Sequence, residues 1–355
     1  MHDATAPAVN VEGLVVPTTL EAALDPVWLS AALARVGNGG KIRGVEVLEV
    51  IRTVATKVRF AVLFEGQDAP QAFCLKGFLD VDAATAKGGA TTVLEADFYR
   101  DIAARIAVRT PPCVSTIIDR AAPWGVVIMR DLITAGARFC SALEAFSADQ
   151  AAQSLGQIAL LHAARGLLEG RPWIAPRIAT LAAAQYVPQP LLQELLDGKR
   201  GEGLPARTRD AGLLIAGMTA LAGEDARRPQ TLVHGDCHAG NIFQTDDGPG
   251  LIDWQLLQKG SWVLDVAYHI NAVCDVAVAE REERRLLAHY LEIARGLGCE
   301  VPPEAAAWAA YRASVVYGYY LWSITRRVDP AITNVFVNRL GSAVTRHESF
   351  RLLGL

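Results

Sequence analysis

The most informative part of the chain is the segment His234-Gly235-Asp236-Cys237-His238-Ala239-Gly240-Asn241, which is followed by Leu251-Ile252-Asp253-Trp254-Gln255. The first segment carries a carboxylate at Asp236 and an amide at Asn241, and the second adds another carboxylate at Asp253. A carboxylate in a reactive site can orient a hydroxyl group and accept its proton. Amide and carboxylate oxygens are also ligands that Mg²⁺ accepts. These residue types therefore predict metal-assisted chemistry on a hydroxyl group.

A β-hairpin is expected between the two segments. Two short apolar runs flank the turn Thr245–Gly250, which contains an Asp-Gly pair typical of hairpins. Such a hairpin would bring Asn241 and Asp253 side by side, within reach of one hard cation. The spacing H-x-D-x-x-x-x-N, followed by an aspartate on a short hairpin, is the arrangement that kinases use for phosphoryl transfer.

The stretch resembles the aminoglycoside phosphotransferase and choline kinase superfamily. The segment 260–267, Gly-Ser-Trp-Val-Leu-Asp-Val-Ala, is most similar to its branch of ecdysteroid-kinase-like bacterial small-molecule kinases. The resemblance extends from about Val45 to about Arg327. It implies an α+β, protein-kinase-like fold with two lobes, in which the N-lobe has an antiparallel sheet of about five strands plus a helix, and the C-lobe is mainly helical. It also implies ATP and Mg²⁺ as cofactors and a small-molecule hydroxyl acceptor.

Carried over residue by residue, the resemblance assigns roles within the central motif. Asp236 becomes the catalytic base or hydroxyl orienter, and Asn241 and Asp253 become the Mg²⁺ ligands. His234 is expected to brace the catalytic loop without touching the substrate. Asp265 matches a family aspartate that ties down this loop, which is a structural role.

One lysine in the N-terminal half stands out because its neighbours are apolar. Lys76 lies in the strand-like run Gln71–Phe78, and a lysine buried among apolar groups must be paired. Kinases place such a lysine on the α- and β-phosphates and pair it with a helix glutamate. Glu95, in the helical run 91–100, resembles that glutamate, and Asp97 is its nearest rival. The alternatives are a lysine that reaches solvent at a sheet edge and a solvated helix glutamate.

Two further nucleotide contacts are expected in the same half of the chain. The strands 45–51 and 58–64 are joined by Arg52–Lys57, the turn that covers the ATP phosphates in kinases. This turn has no glycine here, so Thr53 and Thr56 are the candidates for phosphate contacts, although an exposed hairpin turn is an equal alternative. After two more strands, at 113–119 and 125–129, the backbone of Arg130 and Leu132 resembles the hinge that reads the adenine edge.

The expected domain organisation follows from a change of periodicity. Residues 1–17 form a loose arm, 18–129 the nucleotide-binding N-lobe, 130–135 the hinge, and 136–355 a helical C-lobe with the catalytic loop and the acceptor site. In the C-lobe, Ser147 and Gln150 form a capping-box pattern at a helix start. His162 is expected to make a core hydrogen bond. The aromatic cluster 311–322 is expected to be mostly core, and part of it could line an acceptor pocket.

The composition limits the possible partners and the cellular location of the protein. The 355 residues are 51% hydrophobic and 20% charged, and the net charge is −4, so no basic patch predicts nucleic-acid binding. The apolar run 313–324 is shorter than the roughly 20 residues that a membrane span needs. Six scattered cysteines without a C-x-x-C pair, and no signal-peptide pattern, predict a reduced, cytoplasmic protein. The oligomeric state is left open.

Two other functions must be weighed against the kinase. A zinc hydrolase would use His234 and His238, which are spaced four apart as on a helix, but Gly235 and Gly240 disfavour a helix there. A pseudokinase would bind nucleotide without turnover, and the glycine-free turn keeps this alternative open. The acceptor itself is undetermined among aminoglycosides, amino alcohols, steroid-like alcohols and hydroxyacyl thioesters, with the aromatic C-terminal helices favouring an apolar alcohol or hydroxyacyl thioester.

Overall fold

The structure is a computed structural model that describes residues 9–11 and 13–355. The chain divides into two compact units, one formed by residues 1–138 with 252–256 and the other by 139–251 and 257–355. Of the arm predicted for residues 1–17, positions 1–8 and 12 lie outside the described residues, whereas Val9–Asn10 forms a strand. The lobe boundaries derived from periodicity stay a prediction, and the short segment 252–256 groups with the first unit.

The first unit contains a six-stranded sheet in the order β1-β5-β6-β4-β3-β2. Strands β2 to β6 pair antiparallel, which confirms the predicted sheet of five strands. The two-residue β1, which pairs parallel with β5, is too short for its periodicity to be recognised. The strands are β1 (Val9–Asn10), β2 (Ile42–Arg52), β3 (Thr56–Phe64), β4 (Gln71–Gly77), β5 (Cys113–Asp119) and β6 (Trp124–Arg130).

Alternation along β3 separates an apolar face of the sheet from a charged face. Val58, Phe60, Val62 and Phe64 are fully buried and belong to one apolar core. The residues between them point to the opposite face, because successive strand side chains alternate. There Lys57 lies directly across from Lys76 of β4. The sheet therefore carries its lysines on the face away from that core.

The described part of the first unit has four α-helices, one of which supplies a site residue. Helix α2 has a capped start, because the Asp25 carboxylate accepts hydrogen bonds from the N–H groups of Val27 and Trp28 at 3.0 and 2.8 Å. The long helix α4 covers the glutamate predicted to pair with Lys76. The helices are α1 (Leu20–Ala23), α2 (Pro26–Ala32), α3 (Ala83–Ala86) and α4 (Ala90–Asp101).

The second unit is mainly helical, as predicted, with α9 buried along its whole length. The capping box of Ser147 and Gln150 is present at the start of α5. No helix among residues 9–11 and 13–355 is long and apolar enough to cross a membrane. The helices are α5 (Ala148–Ala163), α6 (Arg177–Ala184), α7 (Gln189–Asp197), α8 (Ala211–Ala226), α9 (Val263–Val273), α10 (Val276–Gly296), α11 (Glu304–Ile324), α12 (Pro330–His347) and α13 (Ser349–Leu352).

Short strands frame the central motif. The predicted hairpin is formed by β9 and β10, but its turn is only Asp246–Asp247, shorter than the predicted Thr245–Gly250. Gly248 adopts φ 108°, a conformation that glycine adopts without strain. This conformation lets the chain resume strand pairing immediately after Asp246 and Asp247. The remaining strands are β7 (Arg138–Phe139), β8 (Thr231–Val233), β9 (Ile242–Thr245), β10 (Gly248–Leu251) and β11 (Gln258–Gly260), of which β8 and β11 pair antiparallel.

Candidate active site

Lys76, Glu95 and Asp253 form a buried ionic cluster in the first unit. The Lys76 Nζ lies 2.6 Å from Glu95 Oε2 and 2.8 Å from Asp253 Oδ1. Lys76 is 4% exposed and Glu95 is 2% exposed, so neither is the solvated side chain considered as an alternative. The rival Asp97 instead pairs with Arg120 at 2.6 Å. The ion pair predicted between Lys76 and Glu95 is therefore present.

The charges of this cluster offset the cost of burying the lysine. Burial acts to lower the pKa of Lys76, but the carboxylates of Asp253 and Glu95 outweigh it and raise the pKa above its usual range. The ammonium group therefore stays protonated. Two carboxylates flank the Lys76 ammonium group, and the second ammonium group of Lys57, directly across from Lys76, interacts with both of them. Carboxylate oxygens are ligands that a hard cation accepts.

Asp253 is held in a strained backbone conformation. Its φ of 65° lies in the left-handed region, which costs a residue other than glycine about 1–2 kcal/mol. The next residue anchors the segment, because the Trp254 ring stacks on Phe98 with centroids 3.9 Å apart. The Trp254 N–H also donates to Glu95 Oε1 at 3.2 Å. Glu95 thus holds both Lys76 and the segment that carries Asp253.

The central motif in the second unit forms a loop anchored by Asp265 of α9. Asp265 accepts hydrogen bonds from the N–H groups of His234 at 2.7 Å and Gly235 at 2.9 Å. Its carboxylate also lies 3.2 Å from His162 Nε2. Burial acts to raise the pKa of Asp265, but the interactions with His162 and Gly235 lower it overall, so the side chain is ionised. The predicted anchoring role of Asp265 is confirmed.

His234 and Gly235 shape the loop from within. His234 is fully buried, and its Nδ1 accepts the Asp236 N–H at 3.2 Å, which is a bracing contact. Gly235 adopts φ 78°, a conformation that glycine adopts without strain. Its carbonyl accepts a hydrogen bond from the Tyr317 hydroxyl at 2.6 Å. The loop backbone is therefore fixed on the N-terminal side of Asp236.

The Asp236 carboxylate is oriented by a relay of two aromatic side chains. Trp322 Nε1 donates to the Tyr268 hydroxyl at 2.7 Å, and that hydroxyl donates to Asp236 Oδ1 at 3.0 Å. Trp322 belongs to the aromatic cluster 311–322, whereas Tyr268 lies outside every motif recognised in the sequence. A signal was available, because Tyr268 follows Asp265 by three residues and so shares its face of α9.

Asn241 has the geometry of an oxygen donor. Its amide Nδ2 donates to the Asp236 carbonyl at 2.9 Å, and it also lies 3.3 Å from Asp236 Oδ2. With the nitrogen engaged in this way, the amide oxygen faces away from Asp236. Asn241 is 5% exposed, so its orientation is held by the surrounding loop. An amide oxygen fixed in advance is suited to bind a hard cation.

The zinc alternative finds no support in this loop. The segment from His234 to His238 is not helical, so the four-residue spacing does not place the two imidazoles on one helix face. His238 instead packs edge-on against Trp322 and Phe336. Throughout residues 9–11 and 13–355, no three or more histidine, cysteine or acidic side chains are grouped to hold a metal.

The threonines of the turn between β2 and β3 are engaged within the protein. Thr56 is buried and its hydroxyl donates to the Leu79 carbonyl at 3.0 Å. The Thr53 hydroxyl donates to the Ala55 carbonyl at 2.9 Å and accepts from Lys57 Nζ at 3.1 Å. Both phosphate contacts stay predictions, and Thr56 is the weaker candidate because reaching a ligand would break a buried contact.

The segment that follows β6 is tied to the sheet by an arginine that sequence analysis did not name. Arg59 of β3 contacts Asp131 with two parallel hydrogen bonds of 2.9 and 3.0 Å. The Arg130 N–H donates to the Pro112 carbonyl at 2.9 Å, and the Leu132 carbonyl accepts from the Ala137 N–H at 2.9 Å. These groups are thus paired within the protein, and the predicted adenine contacts of Arg130 and Leu132 stay predictions.

The sequence profile of the phosphotransferase enzyme family matches residues 88–308, which is more than half of the chain. The chain belongs to this family. Membership confirms the expectation of a phosphotransferase that acts on small-molecule hydroxyl groups, and ATP is the phosphate donor typical of the family. It does not distinguish the ecdysteroid-kinase-like branch, which stays a prediction. Comparison with curated proteins found no match.

Several solved structures are similar to this chain over most of its length. A choline/ethanolamine kinase family protein from Mesorhizobium loti is 18% identical, with 92% of this chain and 97% of that chain covered and a TM-score of 0.45. An ethanolamine kinase from Plasmodium vivax is 13% identical, with coverages of 90% and 87% and a TM-score of 0.49. The macrolide 2'-phosphotransferase MphH from Brachybacterium faecium is 17% identical, with coverages of 90% and 98% and a TM-score of 0.45.

Proposed function

We propose that this protein is an ATP-dependent kinase that transfers the γ-phosphate to a hydroxyl group of a small molecule. The buried cluster of Lys76, Glu95 and Asp253 is the observation that supports the proposal most directly. This buried ammonium group keeps its charge because two carboxylates hold it, and a charged group in this place is suited to bind phosphate. Lys76, braced by Glu95, would hold the phosphates that are not transferred.

Asp236 would orient the acceptor hydroxyl and accept its proton. The hydrogen bond from Tyr268 supports this role, because it fixes one carboxylate oxygen at 3.0 Å and so limits the rotation of the group. His234 would brace the loop through the Asp236 N–H. Since phosphoryl transfer leaves little covalent work for the protein, positioning of this kind should supply most of the rate.

Asn241 and Asp253 would be the protein ligands of Mg²⁺. The preset amide oxygen of Asn241 and the carboxylate-rich surroundings of Asp253 both fit a hard cation. When bound, Mg²⁺ would neutralise charge on the phosphates. Lys76 would add its own positive charge, and this is the electrostatic contribution that the chain itself makes.

The aromatic residues of α11 do not support the apolar acceptor that the sequence favoured. Tyr317 and Tyr319 are fully buried, and Tyr320 and Trp322 are 2% and 5% exposed. Trp322 also stacks on Phe336 with ring centroids 4.1 Å apart. These rings are part of the core of the second unit. This cluster therefore does not favour a steroid-like alcohol or a hydroxyacyl thioester as the acceptor.

The proposal is tested by a screen for acceptor-dependent ADP formation with wild-type protein and Asp236→Asn. The variant should lose at least about 10³-fold in kcat, since general-base roles contribute roughly 10²–10⁴-fold and positioning adds to this. The matched control is Asp247→Asn, an exposed carboxylate in the hairpin turn, which should leave turnover unchanged. Near-normal turnover by Asp236→Asn would overturn the assignment of the base.

The same screen, combined with a melting-temperature measurement with ATP, distinguishes a kinase from a pseudokinase. The pseudokinase alternative predicts that ATP raises the melting temperature while no acceptor in a broad panel is phosphorylated. All four polar kinase positions, Lys76, Asp236, Asn241 and Asp253, are occupied by functional residue types. We therefore expect turnover in addition to binding.

A further inference from the structure

Arg177 is a buried arginine that the proposed chemistry does not use. It is the first residue of α6 and is 9% exposed. Its Nε donates to the Tyr317 hydroxyl at 2.8 Å, and its Cζ lies 5.8 Å from the centroid of that ring. This single hydrogen bond occupies one of the five N–H donors that a guanidinium presents.

The terminal nitrogens of Arg177 have no acceptor among residues 9–11 and 13–355. They are also not enclosed, since they are absent from the fully buried atoms that lack a partner. Two other partly buried arginines of the second unit each have at least one paired terminal nitrogen. Arg346 pairs with Glu283 at 2.7 Å, and Arg200 donates to two backbone carbonyls at 2.8 and 2.9 Å.

The guanidinium of Arg177 is mostly buried, yet its terminal nitrogens keep some solvent contact and have no protein acceptor among the described residues. Their N–H groups are therefore open to an oxygen acceptor of a ligand. Burial acts to lower the pKa of Arg177, but Tyr317 and the Asp236 carboxylate outweigh it and raise the pKa, so the group stays charged. The planar fork of an arginine matches the two oxygens of a carboxylate or phosphate.

Arg177 is connected to the catalytic loop by two tyrosines. The Tyr317 hydroxyl that accepts from Arg177 donates in turn to the Gly235 carbonyl at 2.6 Å. Tyr268, which orients Asp236, packs edge-on against Tyr317 with ring centroids 5.9 Å apart. The same two rings thus hold the unpaired cation and the carboxylate expected to orient the acceptor.

We infer that Arg177 binds an anionic oxygen group of the acceptor, a carboxylate or a phosphate ester, beside the hydroxyl that Asp236 orients. This inference rests on the proposed function and specifies its substrate class. A negatively charged group would accept hydrogen bonds from the open N–H donors and would position the acceptor hydroxyl next to the Asp236 carboxylate. Cationic acceptors such as aminoglycosides and amino alcohols would be repelled by the same charge.

The first experiment measures binding and does not depend on turnover. Melting temperatures are recorded with 3-hydroxybutyrate and glycerol 3-phosphate, and with their uncharged counterparts 1,3-butanediol and glycerol. The carboxylate and phosphate probes separate the two possible anions. Wild-type protein should be stabilised by at least one anionic probe and by neither uncharged alcohol. If neither anionic probe stabilises it more than its uncharged counterpart does, the inference is wrong.

Variants then test whether Arg177 is responsible. Arg177→Gln should weaken binding of the anionic probe by about 100-fold, the range expected when a hydrogen-bonded charge pair loses one partner. Arg177→Lys keeps the charge but loses the planar fork, so it should recover part of that loss. Arg281→Gln, whose side chain is 64% exposed, is the matched control and should bind as the wild type does. Equal stabilisation of Arg177→Gln and wild type would contradict the assignment.

Kinetics separate this inference from the proposed function. With an anionic acceptor, Arg177→Gln should raise the acceptor KM about 100-fold and leave the KM for ATP unchanged. A rise confined to the KM for ATP would place Arg177 on the nucleotide and overturn the acceptor assignment. Turnover of neutral or cationic acceptors, unaffected by Arg177→Gln, would also overturn it while leaving the kinase function intact. ADP formation with no acceptor at all would instead count against the kinase function.

Discussion

Replacing Glu95 with glutamine would isolate one charge of the buried cluster. The substitution keeps the shape of the side chain and its Oε1, which accepts the Trp254 N–H at 3.2 Å. It removes the negative charge that lies 2.6 Å from Lys76 Nζ. The amide nitrogen would also place a donor where Lys76 needs an acceptor. The change therefore acts on the ion pair and leaves the packing of α4 in place.

The expected loss follows from the burial of Lys76. Neutralising one partner of a buried pair costs about 3–5 kcal/mol. The Lys76 ammonium keeps Asp253 as a partner at 2.8 Å, so the lower end of this range, about 3 kcal/mol, is expected for Glu95→Gln. Asp101→Asn is the control, because its pair with Arg100 is about one-quarter exposed and should contribute at most about 1 kcal/mol.

Urea unfolding followed by tryptophan fluorescence measures this loss, because Trp254 stacks on Phe98 beside the cluster. Lys76→Met and the double variant Lys76→Met/Glu95→Gln complete a thermodynamic cycle. The two losses should be far from additive, since the single variants each leave a buried charge without its partner. A loss below about 1 kcal/mol for Glu95→Gln, or additive losses within about 0.5 kcal/mol, would refute the reasoning.

Two further predictions concern the second unit. Tyr268→Phe should lower kcat by about 10-fold or more with little effect on the KM for ATP, because it removes a charge-assisted hydrogen bond that orients Asp236. His269→Gln should flatten the dependence of the unfolding free energy on pH. Burial lowers the pKa of His269 to about 4, whereas the unfolded chain protonates near 6.5, so wild-type stability rises with pH between these values and falls on acidification. Between pH 7.5 and pH 5.0 this group should account for a loss of about 2 kcal/mol.

An exposed residue of the same type is the control for the first of these predictions. Tyr186→Phe changes a tyrosine that is 65% exposed and should leave kcat unchanged. An unchanged kcat in Tyr268→Phe would remove the orienting role of its hydroxyl. If the unfolding free energy of His269→Gln depended on pH as in the wild type, another group would control the loss of stability at acidic pH.

Local sequence patterns were sufficient to predict most of the secondary structure. The strand predicted at 113–119 has these bounds in the structure, and the capping box of Ser147 and Gln150 is present. Both signals depend on residues within a few positions of one another. Alternation reports which face of a strand is buried, and a cap reports where helical N–H groups need partners. These requirements hold whatever the rest of the chain does.

Residue type and spacing also identified most of the candidate site. The central motif is short, so Asp236 and Asn241 could be recognised from their separation alone. Lys76 was identified because an isolated charge in an apolar strand requires a partner. Which acid supplies that partner was not settled locally, since Glu95 and Asp97 are two residues apart. The structure decided it by placing Arg120 beside Asp97.

Only the tertiary structure showed which distant side chains complete the site. Tyr268 meets Asp236 across 32 positions, and Arg177 meets Tyr317 across 140. The apolar periodicity of α9 and α11 predicts that one face of each helix is buried. It does not predict which polar group of another element each buried hydroxyl or guanidinium contacts. That choice depends on how the helices pack, because a buried hydroxyl or guanidinium takes whichever partner the packing brings within hydrogen-bond distance. That the terminal nitrogens of Arg177 have no protein acceptor among the described residues could therefore be recognised only in three dimensions.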